Sequence, residues 1–488
     1  MVALLAGFAI SIGGTMYYPI YYHVLGNKDT YFYSDPVRYI GYRPETNDKT
    51  ITEIPAYSNV VGDLHAHYVD IIWSCVMLSI ILAVFCEDKN EDTKKRLINL
   101  KIPIIAIILG IQKMTNYWDF PIYLVVILIS LLANSIMKYG ESKRKIFVAI
   151  PQILEIIALE ELITLPFSRD LYISATKVFL THITSPLYKW LVLWAFPILI
   201  CLIFFAILLV EIIKKRKGES NFIKRVRSLN AVDIYIFIIS ACAIGLVILP
   251  ELIYLKDIYS DEYKRANTMF KLTYQGYIMF SIVIGYIIAK IFMQKRLVLK
   301  CVACIILIIQ ITSFGYGINA IKYVTNQKTP QDMSKIEGNI INSNQDDYKA
   351  ILWIRENISK DDVMLEAADG DYTTSARISV FTGVPTLLGW HGHEWIWRAE
   401  NYNIPKEEQK RWNDIYYIYN SSDRESVKDL LKQYNIKYIY IGNEEYSKYK
   451  NMNVEFLCSL GNIVYMDDIK YKNSPVYIVK VDWKVIVL

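Results

Sequence analysis

The sequence predicts a polytopic α-helical membrane protein, of about nine spanning helices, that ends in a C-terminal extracytoplasmic α/β domain. Three observations carry that prediction. Of 488 residues, 53% are hydrophobic and only 21% are charged, a balance foreign to an ordinary soluble domain. Leu, Ile and Val gather between Met1 and Ile321 in blocks of roughly 18 to 22 residues, the length a helix needs to cross a hydrocarbon core of about 30 Å. Beyond Ile321 the composition returns to that of a globular domain. A small secreted scaffold, a disordered chain and a single soluble domain are all excluded. The net charge of +5 says little, because its distribution matters more than its sum, and no nucleic-acid partner is expected.

Nine spans are expected, at 1–19, 68–86, 102–117, 121–137, 146–166, 191–213, 232–255, 271–293 and 300–321. The first lacks a basic start and a small-residue cleavage site, so it reads as an uncleaved helix rather than a signal peptide. Alternate connections differ in charge. Lys and Arg number 19 in the 47 residues of 87–101, 138–145, 214–230 and 294–300, against 10 in the 93 residues of 20–67, 115–120, 167–190 and 256–270. An excess of about fourfold per residue places the first set in the cytoplasm. An odd number of spans then puts the C-terminal domain outside a cell membrane. All six histidines, His23, His65, His67, His182, His391 and His393, fall on that outer side. Six of the seven cysteines lie in or beside apolar blocks, and Cys458 stands alone in the hydrophilic part, so all seven read as small apolar residues.

The domain reading is a helical membrane part, 1–321, with an outer loop at 20–67, a polar linker at 322–347 and an α/β domain at 348–488. Within the last, 348–358 has helical periodicity, 363–367 reads as a buried strand, 422–434 as a capped helix and 436–441 as a strand, with later strands near 463–466 and 475–481. Alternating helix and strand defines the class.

Four constellations carry chemistry. In Gly62-Asp63-Leu64-His65-Ala66-His67 an extended backbone projects Asp63, His65 and His67 to one side, which suits a divalent metal, an acid/base or substrate role, or plain loop structure. Asp119, in Asn116-Tyr117-Trp118-Asp119-Phe120-Pro121, is a carboxylate at the membrane face, and with Pro121 it also suits the start of a helix. Arg265, Asn267 and Lys271, with Lys264, gather polar and positive groups on the outer side against the general bias, as an anionic ligand would require; snorkelling to headgroups is the alternative. In the outer domain, Arg377 and the run Trp390, His391, His393, Glu394, Trp395, Trp397 and Arg398 combine aromatic faces with polar groups, suited to sugar rings or to docking on the membrane part. Glu155, Glu160 and Glu161 inside the fifth span need partners or water.

Taken in order, GDLHAH, NYWDFP, KRANTMFKLTYQ and SARISVFTGVPTLLGWHGHEWIWR followed by DIYYIY resemble the uncharacterised YYY-type multipass membrane protein family, across about residues 30 to 445. Ala66 stands where Pro is expected in that family. The family in turn resembles the GT-C glycosyltransferases, and this implies a polyprenyl-phosphate-linked sugar as donor and an acceptor on the outer face. Family members usually extend upstream with further spanning helices and a triple-tyrosine motif, so a separate chain supplying them is one expectation. The resemblance leaves the catalytic carboxylate among Asp35, Asp63 and Asp119, and within the transfer reading Asp63 is the base. His65 and His67 would hold a metal or the leaving phosphate, Arg265 and Lys271 would neutralise that phosphate, and the segment from Trp390 to Arg398 would border the acceptor. The competing readings are a membrane transporter or assembly protein that uses the buried glutamates, and a metal hydrolase centred on Asp63, His65 and His67.

Overall fold

The computed structural model describes all residues except 63, 88–98, 141, 143, 170, 172–176, 215–220, 258–260, 327–346, 372, 399–406, 468–474 and 483–488. The chain divides into two compact units, Met1–Lys328 and Thr329–Leu488.

Each expected apolar block is helical over most of its described length. The membrane unit comprises α1 (Val2–Ile12), α2 (Pro55–Val61), α3 (Ala66–Phe85), α4 (Lys101–Thr115), α5 (Asp119–Tyr139), α6 (Arg144–Ser168), α7 (Leu187–Lys214), α8 (Phe222–Arg227), α9 (Ala231–Ile248), α10 (Ala266–Phe292) and α11 (Leu297–Asn326). Among the described residues, six helices are long and apolar enough to cross a membrane: α3, α5, α7, α9 with the turn that follows it, α10 and α11. Helix α1 is shorter than expected. It ends at Ile12 because Gly13 and Gly14 press against neighbouring helices: a Cβ on Gly14 would lie 2.5 Å from the Tyr316 Cβ, and one on Gly13 2.7 Å from the Tyr277 hydroxyl. The seventh expected span also stops early. After Pro250 the chain forms strand β2 (Ile253–Lys256), which pairs antiparallel with β1 (Lys177–Leu180).

Burial ranks the helices by position. In the spanning window of α10, 78% of residues are buried inside the protein, against 28% for α7 and α11, so α10 is the axis and those two face lipid with much of their surface. The connections that the charge count assigns to one side meet at one end of this bundle. Lys49 N–H donates to Glu262 O at 2.7 Å, Thr181 N–H to Leu252 O at 2.9 Å, and the Lys189 ammonium to Tyr39 O at 3.0 Å. At the other end Glu87 accepts from Lys101 and Lys138, at 2.9 and 3.2 Å, and Lys290 pairs with Asp233 at 2.5 Å.

In the second unit a four-stranded sheet has the order β3 (Val363–Leu365), β4 (Ile436–Ile441), β6 (Val476–Val481), β5 (Gly461–Asp467). The first pair is parallel and the rest are antiparallel. Ile436, Ile439 and Ile441 pack with Ile415, Ile418, Val427 and Leu431, from the helices Glu407–Asn420 and Arg424–Gln433. The other face of the sheet, at Tyr438, Tyr440 and Ile478, packs with Ala350, Ile351 and Ile354 of the helix Tyr348–Asn357. β4 is therefore covered on both sides, which explains its almost unbroken apolar run. The helix at 424–433 begins where its cap predicts, with Asp423 accepting from Ser426 N–H. Most of the expected linker, 327–346, lies outside the described residues, and α11 runs to Asn326, past the expected end of the ninth span.

Candidate functional site

The loop-bearing end of the membrane unit gathers a continuous set of buried polar side chains, and helical spacing explains how. Lys271, Tyr274 and Gln275 are three and four residues apart on α10, so they form one stripe. Asp119 with Tyr123 on α5, Asp70 with Ser74 on α3, and Gln112 with Asn116 at the end of α4 repeat the four-residue spacing. Four helix ends thus present polar groups to one another.

The first part of the set centres on His67. Glu53 accepts from the Ser58 hydroxyl at 2.7 Å and faces His67 Nε2 at 3.2 Å, and the Ser58 and Tyr274 hydroxyls are 3.1 Å apart. His67 is buried, with Phe270 and Tyr274 edge-on to its ring at 4.6 and 4.8 Å. Its Nδ1 lies 3.4 Å from the Lys271 ammonium, which rests 4.2 Å above the centre of the Phe270 ring. One turn along α10, Gln275 donates to Asp119 Oδ2 at 2.7 Å and accepts from the Tyr123 hydroxyl at 2.8 Å. The Asp119 carboxyl is in hydrogen-bonding contact with that of Asp70. Asp70 Oδ2 in turn accepts from Gln112 at 3.2 Å and from Ser74 at 3.4 Å. Both aspartates are wholly buried, and the field of Asp119 and Glu53 acts on Lys271.

The structure therefore brings together His67, Lys271 and Asp119 from three separate motifs. His65 lies beside them, its ring 5.3 Å from that of His67. Asp63 lies outside the described residues, and the proposed metal trio with it. Among the described residues no three His, Cys, Asp or Glu are grouped to hold a metal.

Arg265 belongs to a different network. Its guanidinium grips Asp48 with two nitrogens, at 2.8 and 2.6 Å, Glu251 at 2.9 Å and the Ser185 hydroxyl at 2.9 Å, and it is buried. The sequence assigns it to an anionic ligand; here its donors tie the loop at 20–67, the β2 turn and the start of α7 to one another. Asn267 likewise donates to Asp257 at 2.8 Å. Beside Arg265, a cleft of about 340 Å³ is lined by Asn47, Asp48, His182, Tyr254, Glu262 and Lys264.

The glutamates of the fifth span also have partners. Lys113 reaches Glu160 at 2.9 Å and Glu161 at 3.0 Å, while Glu155 is half-buried.

A second opening shares helices α5 and α10 with the polar set. An apolar groove of about 580 Å³ runs between α5 and α9, lined by Trp118, Ile122, Val126, Phe237, Cys242 and Leu272 among others. Trp118 and Ile122 flank Asp119 in sequence, and Leu272 follows Lys271.

In the second unit Arg377 is wholly buried among three carboxylates: Asp347 and Glu445, each at 2.7 Å, and Glu366 at 3.5 Å. Burial pushes Glu366 up to about 7 even with Arg377 opposing the shift. His393 Nδ1 pairs with Asp371 at 3.1 Å, and this, with the backbone hydrogen bonds that Asp371 accepts, holds the Asp371 carboxyl below its ordinary range. The His391 ring stands 5.0 Å from that of Trp412, the Trp390 indole donates to Ser375 O at 3.0 Å, and Glu394 is half-buried near Gly389. The side chain of Arg398 lies outside the described residues.

Sequence reasoning missed Asp70, Gln112, Glu53 and Ser58. Asp70 had a signal, an ionisable residue three positions inside the expected 68–86 span. Glu53 and Ser58 had none, since nothing in a polar loop marks which residues fold inward.

Comparison with curated proteins finds no match. Among solved structures, the archaeal oligosaccharyltransferase AglB from Archaeoglobus fulgidus, in complex with an inhibitory peptide and a dolichol-phosphate, is similar at 11% identity and a TM-score of 0.33, over 77% of this chain and 52% of that one. The Archaeoglobus fulgidus oligosaccharyltransferase tethered to an acceptor peptide is similar at 11% identity and a TM-score of 0.33, over 88% of this chain and 58% of that one. The chain thus spans little more than half the length of the structures it matches. The family model described as "Uncharacterized membrane protein (DUF2298)" matches residues 1–232 and 208–280, more than half of the chain, and the family expected from the four motifs is the one found: the chain belongs to this family of multipass membrane proteins.

Proposed function

We propose that the protein transfers a sugar from a polyprenyl-phosphate donor to an acceptor on the outer membrane face. One observation carries this reading: Lys271 and Asp119, members of the polar set around His67, are sequence neighbours of Leu272, Trp118 and Ile122, which line a hydrocarbon-walled groove. A lipid phosphate has the matching form, an apolar tail joined to an anion. The tail lies along Ile122, Phe237 and Cys242, and the phosphate lies toward Lys271 and His67.

In this reading Asp63 takes the proton of the acceptor hydroxyl as its oxygen attacks the anomeric carbon. The carbon–oxygen bond to phosphate breaks, and polyprenyl phosphate departs with the electron pair. Lys271 counters the growing negative charge, His67 is oriented by Glu53, and Asp119 supports Lys271 electrostatically from a fully buried position. Arg265 shapes the entrance through its carboxylate partners.

The test is transfer of labelled sugar from polyprenyl-phosphate donors by the full chain in lipid nanodiscs. Lys271→Met and Asp63→Ala are each expected to lower the rate by about 100-fold. Ile122→Trp, which fills the groove, raises the donor concentration needed for half-maximal rate. Unchanged transfer in all three variants would refute the assignment.

A further inference from the structure

We infer that Asn357 is a site of N-linked glycosylation, taking an oligosaccharide from a lipid-phosphate carrier through a separate transferase on the outer membrane face. The sequence carries Asn-x-Ser/Thr, with x other than Pro, at two places, Asn357-Ile358-Ser359 and Asn420-Ser421-Ser422. Both fall in the 348–488 domain that the charge bias places outside. The inference uses that outward placement and is independent of the transfer reading, since here the chain is the acceptor and not the catalyst.

Local geometry separates the two motifs. Asn357 is the last residue of the helix Tyr348–Asn357, and the backbone leaves the helix at once: Ile358 is extended, with φ −111° and ψ 132°. In an extended segment alternate side chains share a side. Asn357 and Ser359 are accordingly both exposed, while Ile358, 7% exposed, packs into the apolar cluster of Ala350, Ile351 and Ile354. The amide and the hydroxyl of the motif thus stand together at the surface, fixed by a buried isoleucine between them. Asn357 Nδ2 donates one hydrogen to Trp353 O at 2.8 Å, and its second hydrogen is available for exchange against a sugar. Ser359 Oγ accepts from the Asp361 amide at 3.3 Å, which leaves its own hydrogen for recognition.

Asn420 is held differently. It is half-buried at the end of the helix Glu407–Asn420, its Nδ2 donates to Tyr416 O at 3.0 Å, and its Oδ1 accepts from the Asn451 amide at 3.2 Å. The Ser421 amide donates to Tyr417 O at 2.9 Å, so the turn continues past Asn420, and residues two apart on such a turn do not face the same way. Ser422 Oγ instead accepts from Asn453 Nδ2 at 3.4 Å.

In the modification the Asn357 nitrogen bonds to the anomeric carbon of the first sugar and the bond from that carbon to the carrier's phosphate oxygen breaks. The phosphate leaves with the electron pair, and one amide proton passes to a base of the transferase. One N–H remains, enough for the single bond to Trp353 O.

The test weighs two peptides. The full chain is purified from the cells that naturally make it and cut after lysine, and peptides 350–360 and 411–428 are compared by mass spectrometry with those of protein made in a host that lacks N-linked glycosylation. Peptide 350–360 is expected to gain the mass of an oligosaccharide and peptide 411–428 to gain none. Asn357→Gln and Ser359→Ala each remove the added mass, and Ser359→Thr retains it; all three changes are at exposed positions, and an unchanged size-exclusion profile checks the fold. Three results would overturn the site: peptide 350–360 at its bare mass in the naturally made protein, an added mass that survives Ser359→Ala, or sugar on Asn420 with Asn357 bare. A cysteine at Lys450 labelled from outside the cell, beside a bare peptide 350–360, would remove the site and leave the orientation and the transfer reading standing.

Discussion

Charged side chains inside this protein are matched one against another. Lys113 stands within the apolar helix α4 and meets Glu160 and Glu161 from α6, so three groups that look costly in the sequence form one compensated cluster. Arg377 shows the opposite imbalance, one guanidinium among three carboxylates. Glu366 is the member that burial lifts to about 7, and this makes a pH prediction with a definite sign. Its folded pKa lies above the ordinary carboxylate value, so the stability it contributes is full in acid, below that ordinary value, and is lost as pH rises through about 7. The swing is on the order of 3 kcal/mol. Hydrogen exchange of the β4 amides in the full chain reads it: protection is expected to fall between pH 5 and 8 more steeply in the wild type than in Glu366→Gln. Parallel slopes in the two proteins would count against Glu366 as the titrating group.

At the scale of elements, the close approach of α1 to its neighbours depends on absent side chains. Gly13 and Gly14 end the helix where Tyr277 and Tyr316 arrive, and the Tyr277 hydroxyl donates to Ala9 O at 3.1 Å. Gly14→Leu is therefore expected to lower thermal stability in detergent by about 1–3 kcal/mol, through overpacking against Tyr316. Gly7→Leu supplies the control, because nothing lies within 4 Å of a Cβ there, and it should leave the melt unchanged. Equal melts for both variants would remove the packing argument. Elements were largely legible beforehand. Long apolar blocks dictate helices because only a helix satisfies its own backbone in lipid, and β4 announces itself by its β-branched and aromatic run. The boundaries that moved, at Ile12 and after Pro250, are those set by contact with other elements rather than by local preference. The candidate site was legible in part for the same reason. His67, Asp119 and Lys271 stand out as polar residues at span ends, whereas Glu53 and Ser58 become significant only once the loop at 20–67 folds over α10.

For the molecule as a whole, the charge asymmetry of the connections predicts which face is wet on which side. The alternate connections do meet at one bundle end, as Lys49 with Glu262 and Lys189 with Tyr39 illustrate. Single cysteines placed at Lys450 and at Lys224 in a cysteine-free background test the orientation. An impermeant maleimide added to intact cells is expected to label the first and spare the second, and the reverse pattern would move the proposed chemistry to the cytosol. What the amino-acid order determined alone is the class of fold, the helical character of its apolar blocks and the family, since hydrophobic length and charge bias act locally and add along the chain. What only the tertiary structure decided is pairing: that Arg265 is spent on Asp48 and Glu251, that Lys113 neutralises Glu160, and that Asp70 meets Asp119. Such pairings join residues up to 217 positions apart. A charge reveals that it needs a partner, but electrostatic attraction is blind to sequence distance, and packing alone chooses which partner arrives.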